Sequence, residues 1–317
     1  MFEAIGFTVL GLVFLALGGD SLVKGAAGLS AVLRIPRFAV GLGLVAVATS
    51  LPELAVNARA VFAGDRALAL GNAVGSNIAN VGLTLGAAAL AAPVVVRWRA
   101  LAPLLALLLL ATLAVAAMGL DGALSRVEGA ILLLFFIGVV AFAASRARHE
   151  SPDVRAAVDA FVPTRGDMAL NLVRLAIAVV LLWFGAGWVV AHIPAIGRAL
   201  GMDSLVAGLV LVAIATALPE AAAAVAAARR GQGDLVAGHV VGSSLFNVLV
   251  VLGGMAAIGG SVPVPASFVR LELPVAFLFA LLLLPLLRGN TTVSRLEGGL
   301  LVAALAGWVV LEFALLA

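Results

Sequence analysis

Long apolar runs separated by short polar stretches recur from one end of the chain to the other. A helix of about 20 apolar residues crosses the hydrocarbon core of a bilayer. The pattern predicts ten such spans, at residues 4–32, 37–63, 66–92, 98–117, 123–146, 168–197, 204–229, 232–259, 267–287 and 293–316. The first and sixth are long enough that we expect them to be tilted or bent.

The composition agrees with a membrane protein built only from helices. Of the 317 residues, 64% are hydrophobic and 11% are charged, and the mean hydropathy is +1.24. Soluble domains carry about 25% charged residues. The chain has no cysteine, which excludes disulfides and thiolate metal sites. We expect a monomer, with a homo-oligomer as the alternative, and its partners to be membrane lipid and small inorganic cations.

The basic residues indicate the orientation of the spans. They lie at span ends rather than in one patch, so nucleic acid is not an expected partner. With the N-terminus outside, 14 of the 19 fall at inner ends and 5 at outer ends. Because loops on the cytoplasmic side are enriched in Lys and Arg, both termini are predicted to be outside. The Ala- and Arg-rich composition with a single lysine is typical of a GC-rich prokaryote, which predicts its inner (plasma) membrane.

The two halves of the chain are related by an internal repeat. Residues 41–86 and 208–253 align without a gap, and 22 of the 46 positions are identical. Each half contains five predicted spans, and an odd number inserts the second half with the opposite orientation. We therefore predict one integral membrane domain made of two inverted five-helix repeats, 1–146 and 168–317, joined by a cytoplasmic linker at 147–167.

Each repeat places a proline and a glutamate inside an apolar run. Thr49-x-Leu51-Pro52-Glu53 in the first half matches Thr216-x-Leu218-Pro219-Glu220 in the second. A carboxylate is costly in hydrocarbon, and a proline removes a helical hydrogen bond and frees a backbone carbonyl. Such groups at membrane depth are tolerated where protein, water or a ligand satisfies them, so the duplicated motif indicates a site.

The neighbouring polar residues are all oxygen donors. Thr49 and Glu53 are spaced i, i+4 and share a helix face, as do Ser76 and Asn80. The second repeat carries the same pairs, Thr216 with Glu220 and Ser243 with Asn247. Hydroxyl, amide, carbonyl and carboxylate oxygens suit sodium and calcium. Two facing glutamates would be neutralised by one divalent cation, by two monovalent cations or by two protons, and such competition is typical of an antiporter.

These residues resemble the sodium/calcium exchanger branch of the cation/calcium antiporter superfamily, through the segments 48–53 and 71–80 and their repeats. The resemblance covers nearly the whole chain. It implies the ten-helix inverted-repeat fold of that family and an antiporter that couples sodium influx to calcium extrusion by alternating access, with the first and sixth helices sliding. It implies Na+ and Ca2+ as transported ions, no cofactor and no enzymatic activity.

The resemblance also implies roles for individual residues. Glu53 and Glu220 would be the central calcium ligands, and Asn80 and Asn247 would lie at the centre of the cluster. The sodium sites would be lined by hydroxyls and two backbone carbonyls, from Thr49, Ser50, Ser76, Thr216, Ser243, Ala46 and Ala213.

The second repeat departs from the family pattern at Ala217, His239, Ser244 and Asn247, which stand where serine, asparagine, asparagine and often aspartate are found. These departures leave the stoichiometry and the driving ion open, so a proton-coupled or otherwise altered divalent-cation antiporter is the alternative. An intramembrane phosphatase would need cations such as arginine beside the acids, and none lies in either motif. A passive channel would not need matched glutamates.

Several of these residues also have structural interpretations. A Thr or Ser hydroxyl can bond the carbonyl four residues earlier in its own helix, and asparagines can hold helices together. His239 is either a proton-exchanging group or a hydrogen-bonded buried histidine. Asp20 and Lys24, spaced i, i+4, are candidates for a simple ion pair.

Overall fold

The computed structural model of the protein describes residues 1–32, 50–96, 101–147, 167–284 and 291–316. The helices of the first half are α1 (Phe2–Val32), α2 (Leu51–Phe62), α3 (Arg66–Ala91), α4 (Leu101–Met118) and α5 (Arg126–Ala147). Those of the second half are α6 (Met168–Ala199), α7 (Ser204–Arg229), α8 (Gly233–Ala257), α9 (Ala266–Arg270 and Glu272–Leu281) and α10 (Arg295–Leu316).

Each predicted span overlaps one of these helices. Within the described residues, seven helices are long and apolar enough to cross a membrane, namely α1, α3, α4, α6, α7, α8 and α10. Much of the span predicted at 37–63, and the linker at 147–167 apart from its first and last residues, lie outside the described residues. Large apolar side chains such as Leu134 and Val179 are exposed on the outer helices, where lipid would cover them.

The helices that begin the two halves form a pair. They are 31 and 32 residues long, which exceeds the roughly 20 residues that a bilayer requires. α1 packs along α6. A Cβ added to Gly11 would lie 2.8 Å from the carbonyl oxygen of Gly185, and one added to Gly185 would lie 2.7 Å from that of Gly11. The two backbones therefore touch where the helices cross.

Within the described residues, three helices contain a π-helical segment. In α3 it covers Asn80–Leu85, and in α8 it covers Asn247–Leu252, the equivalent position of the repeat. In α7 it covers Ala207–Val212. A π-helical turn widens the helix by one residue and is frequent at functional sites.

In the part of the chain that the structure describes, two short antiparallel strand pairs join the halves. β1 (Val94–Val96), which follows α3, pairs with β4 (Thr291–Val293), which precedes α10. β2 (Ala123–Leu124), which precedes α5, pairs with β3 (Val262–Pro263), which follows α8. Each pair thus combines the strand after the third helix of one half with the strand before the last helix of the other.

The repeated sequence Ser-Arg-x-Glu-Gly begins the last helix of each half with a capping box. Ser125 N donates to Glu128 Oε2 at 2.8 Å, and Glu128 N donates to Ser125 Oγ at 3.3 Å. Ser294 and Glu297 repeat this arrangement at 2.7 and 3.3 Å. Reciprocal bonds of this kind satisfy two of the amide donors that a helix start leaves free, which explains why serine and glutamate recur at this spacing.

The glycine of that sequence is a packing residue in both halves. A Cβ on Gly129 would lie 2.6 Å from Gly253 O, and a Cβ on Gly298 would lie 2.8 Å from Gly86 O. α5 therefore packs closely on the end of α8, and α10 packs in the same way on the end of α3. Only glycine permits this approach.

Candidate cation site

The two repeated glutamates are buried and close to each other. Glu53 lies in the first turn of α2 and Glu220 lies in α7, with 2% and 8% of their surfaces exposed. The two carboxylates interact electrostatically, and the Glu53 carboxylate is also within reach of the Thr216 hydroxyl. Two buried acids from opposite halves of the chain therefore lie within electrostatic range of each other.

The sequence around Glu53 explains how the first acid is positioned. Pro52 stands at the start of α2, where its missing N–H costs no helical hydrogen bond. Glu53 follows in the first turn, where the positive end of the helix dipole favours a carboxylate. Ser50 is the N-cap residue, but its side chain does not cap the helix. Instead it shares a hydrogen bond with Ser243, with 2.7 Å between the two hydroxyl oxygens.

The second half holds its acid differently. α7 continues through Pro219 within the segment Ala213–Arg229, so the helix is not interrupted there. Its irregular segment is the π-helical Ala207–Val212, which comes before the motif. This segment packs against α3, where Gly208 contacts the backbone of Leu68. Close packing against a neighbouring helix is one way in which a proline is tolerated inside a membrane helix.

Thr216 bonds its own helix, as the structural interpretation predicts. Its hydroxyl lies 3.1 Å from Val212 O and 3.3 Å from Ala213 O, and it donates its single proton. A hydroxyl that donates its proton to a carbonyl keeps its lone pairs available for a cation. The predicted ligand Ala213 is fully buried, and its carbonyl lies within this local network.

In the first half, Ser76 belongs to a chain of polar side chains. Ser76 Oγ donates to Asn72 Oδ1 at 3.3 Å, and Asn72 Nδ2 donates to Asn57 Oδ1 at 3.1 Å. Asn57 was not among the predicted site residues. Its signal in the sequence is an amide four residues after Glu53, on the same face of the helix.

The equivalent positions of the second half carry Ala224 and His239, so this chain of bonds cannot form there. His239 instead lies beside Glu220, with 3.4 Å between Nε2 and Oε2. The side chain is buried, yet neither ring nitrogen makes a hydrogen bond within the described part of the chain. The 3.4 Å contact is therefore an approach of two polar atoms without hydrogen-bond geometry.

The two repeated asparagines are also buried, and each begins a π-helical segment. Both polar atoms of the Asn247 amide lack a hydrogen bond in the described structure, as do Glu53 Oε2 and Glu220 Oε1. Burying a polar group without a partner costs a few kcal/mol, more for a charged one. Acceptor oxygens left over in this way are suited to binding a cation.

The remaining predicted ligands, Thr49 and Ala46, lie outside the described residues. Among those that are described, no three His, Cys, Asp or Glu side chains converge on one point as a metal cluster. A cation bound here would therefore combine the two carboxylates with neutral oxygens, a ligand set that sodium and calcium accept.

Two further buried acids were missed by the sequence analysis. Glu272 in α9 lies near Asp203, and Glu312 in α10 lies near Glu272 and Trp308. Their signal in the sequence is a carboxylate within an apolar run, outside the repeated Pro-Glu motif. The predicted pair of Asp20 and Lys24, by contrast, is confirmed as an exposed ion pair at 2.6 Å.

The profile of the family described as sodium/calcium exchanger protein matches residues 3–144 and 170–314. The chain belongs to the sodium/calcium exchanger family. It is 34% identical over 317 residues to the putative antiporter CaxA of Alkalimonas amylolytica, with 99% of each chain covered. It is 33% identical to the inner membrane protein YrbG of Escherichia coli (strain K12), with 89% of each covered.

A solved structure of the sodium-calcium exchanger NCX_Mj, soaked with 2.5 mM Na+ and 0.1 mM Ca2+, has the same architecture. It matches with a TM-score of 0.68 and 28% identity over 98% of each chain. The family predicted from the sequence is thus confirmed. The protein is an integral membrane protein of a family of cation/calcium antiporters.

Proposed function

We propose that the protein exchanges Na+ for Ca2+ by alternating access, with Glu53 and Glu220 as the central cation ligands. The observation that carries this proposal is that these two buried carboxylates from opposite halves interact electrostatically. A lone structural acid would be neutralised by a fixed partner. Here the oxygens Glu53 Oε2 and Glu220 Oε1 make no hydrogen bond in the described structure.

The charge of the pair supports exchange. Two adjacent buried carboxylates repel each other and lose hydration, so the site is stable only when positive charge neutralises it. One Ca2+ or two Na+ carry the same charge. One Ca2+ or two Na+ can neutralise the site, but the two kinds of ion cannot occupy it together. Binding of Na+ therefore releases Ca2+, and binding of Ca2+ releases Na+, as antiport requires.

The strand pairs support ten spans in two inverted repeats. If every predicted span crosses the membrane and the N-terminus is outside, β1 and β4 both lie on the inner side, and β2 and β3 both lie on the outer side. Paired strands must share a side, so both pairings agree with this topology. The equivalent contacts of Gly129 and Gly298 support the same relationship between the halves.

The close pair formed by α1 and α6 supports the proposed movement. These helices contact each other along much of their length, including the backbones at Gly11 and Gly185. Two helices held together in this way can move as one body against the helices that carry the glutamates. In this proposal their sliding opens the site to one side of a prokaryotic inner membrane and then to the other.

The experiment is ion flux in proteoliposomes reconstituted with the full chain. Uptake of radioactive Ca2+ is measured with an imposed Na+ gradient, with an imposed proton gradient and with neither. We expect uptake driven by the Na+ gradient. If only the proton gradient drives uptake, Na+ is not the coupling ion. If neither does, while the purified protein remains monodisperse and unfolds cooperatively on heating, the exchange proposal is wrong.

A further inference from the structure

His239 is a nitrogen-bearing ring that the structure places beside Glu220, one of the two repeated glutamates. It lies on α8, four residues before Ser243 and eight before Asn247. That spacing puts all three on one face of the helix, the face that carries the candidate site. The first half has an amide, Asn72, at the equivalent position.

The surroundings of His239 leave its ring nitrogens available. Each polar atom of the Asn72 amide has a partner, because Oδ1 accepts a hydrogen bond from Ser76 and Nδ2 donates one to Asn57. His239 has no such partner, since Ala224 replaces Asn57 in the repeat. The side chain is only 7% exposed, and neither Nδ1 nor Nε2 makes a hydrogen bond in the described structure.

The geometry places one nitrogen beside a carboxylate that the proposed function assigns to the transported ion. Nε2 is 3.4 Å from Glu220 Oε2 without a hydrogen bond between them. A cation bound by Glu220 on this side meets the ring nitrogen as a second ligand. A neutral imidazole nitrogen is a borderline ligand that suits Mn2+, Zn2+ and related ions, whereas Ca2+ prefers oxygen.

We infer that His239 is a specificity-determining ligand, which makes the site favour borderline divalent cations such as Mn2+, Zn2+ and Cd2+ relative to Ca2+. The inference rests on the proposed function, because it takes Glu220 to be a ligand of the transported ion. The two halves of the site then differ in chemistry. The first half contributes only oxygen, and the second contributes oxygen and nitrogen.

The first test is direct binding by the purified full chain in detergent. The probe is 113Cd2+, an ion close to Ca2+ in size, observed by NMR. In the wild type we expect the 113Cd chemical shift of a site with a nitrogen ligand. In His239→Asn we expect the chemical shift of a site made only of oxygen ligands. That variant places in the second half the residue that the first half already carries. A bound signal that His239→Asn leaves unchanged would overturn the inference.

The second test is competition against Ca2+ uptake in proteoliposomes. Cd2+ and Mn2+ are compared with Sr2+, which prefers oxygen as Ca2+ does. His239→Asn should weaken inhibition by Cd2+ about 10-fold or more and leave inhibition by Sr2+ unchanged. His192→Asn is the matched control, because His192 bonds Trp188 O at 2.8 Å and stacks on Phe7 instead of facing a glutamate. An equal shift for Cd2+ and Sr2+ in His239→Asn would refute a ligand role.

The two tests separate this inference from the exchange proposal. If Cd2+ binding depends on His239 but no Na+ gradient drives Ca2+ uptake, the inference stands and the exchange proposal fails. If Na+ drives Ca2+ uptake but the 113Cd2+ resonance is unchanged in His239→Asn, the exchange proposal stands and the inference fails.

Discussion

Ser50 and Ser243 share a buried hydrogen bond, with their hydroxyl oxygens 2.7 Å apart, and this bond joins the start of α2 in the first half to α8 in the second. The repeat would place an equivalent bond between Ala217 and Ser76, but alanine has no hydroxyl. Ser76 donates to Asn72 instead. The site is therefore asymmetric at this position, although the two sequences around it are closely related.

Restoring the missing hydroxyl should change the response to sodium. We expect Ala217→Ser to lower the Na+ concentration for half-maximal Ca2+ transport by about threefold to tenfold, equivalent to a gain of about 1 kcal/mol from one polar contact. Ser50→Ala, which removes the existing hydroxyl, should have the opposite effect. Identical Na+ titrations of the wild type and Ala217→Ser in proteoliposomes would contradict this account.

Neutralising either central acid should abolish exchange. Gln preserves the shape of Glu53 or Glu220 but removes the charge that a cation must meet. The loss of a charged ligand at a buried site costs about 3 kcal/mol or more, so Na+-driven Ca2+ uptake should fall about 100-fold in Glu53→Gln and in Glu220→Gln.

Glu312→Gln is the matched control, since Glu312 is equally buried but lies on α10, outside the repeated motif. Uptake by that variant should stay within about twofold of the wild type, because Glu312 is not a predicted ligand. Exchange retained by both Glu53→Gln and Glu220→Gln would remove these residues from the site.

The glycine contacts between the halves should be sensitive to a single methyl group. Gly129→Ala would bring a Cβ within 2.5 Å of Ala257 N, so α5 would have to move away from α8 at a cost of about 1–3 kcal/mol. Gly138, on the same helix, has nothing within 4 Å, and Gly138→Ala should be neutral or slightly stabilising. Thermal unfolding in detergent measures the difference, and equal midpoints for the two variants would refute this packing.

The orientation of the spans can be mapped with single cysteines, since the chain contains none of its own. Ser151→Cys lies in the predicted cytoplasmic linker, and Ser261→Cys replaces an exposed residue directly before β3. We expect an impermeant maleimide added to intact cells to label Ser261→Cys but to reach Ser151→Cys only after permeabilisation. The reverse pattern would place both termini inside.

The helical spans and the repeated acids could be predicted from the sequence, because the patterns that indicate them are local. A span is a run of apolar residues, and a carboxylate inside such a run is conspicuous wherever the helix lies. The repeat identifies Glu53 and Glu220 together, since both follow a proline within the same motif. These patterns are sufficient to predict the helical fold class, the family and the two repeated acids.

The tertiary structure decided which of these groups meet. The bond between Ser50 and Ser243, and the approach of His239 to Glu220, depend on how the helices cross and rotate, which no local pattern encodes. The two repeated prolines also differ in a way that only the structure reveals, since α2 begins beside Pro52 whereas α7 continues through Pro219. Local composition fixes the lengths of the helices and the cost of burying their charges, whereas contacts between residues far apart in the chain determine the ligands that each charge meets.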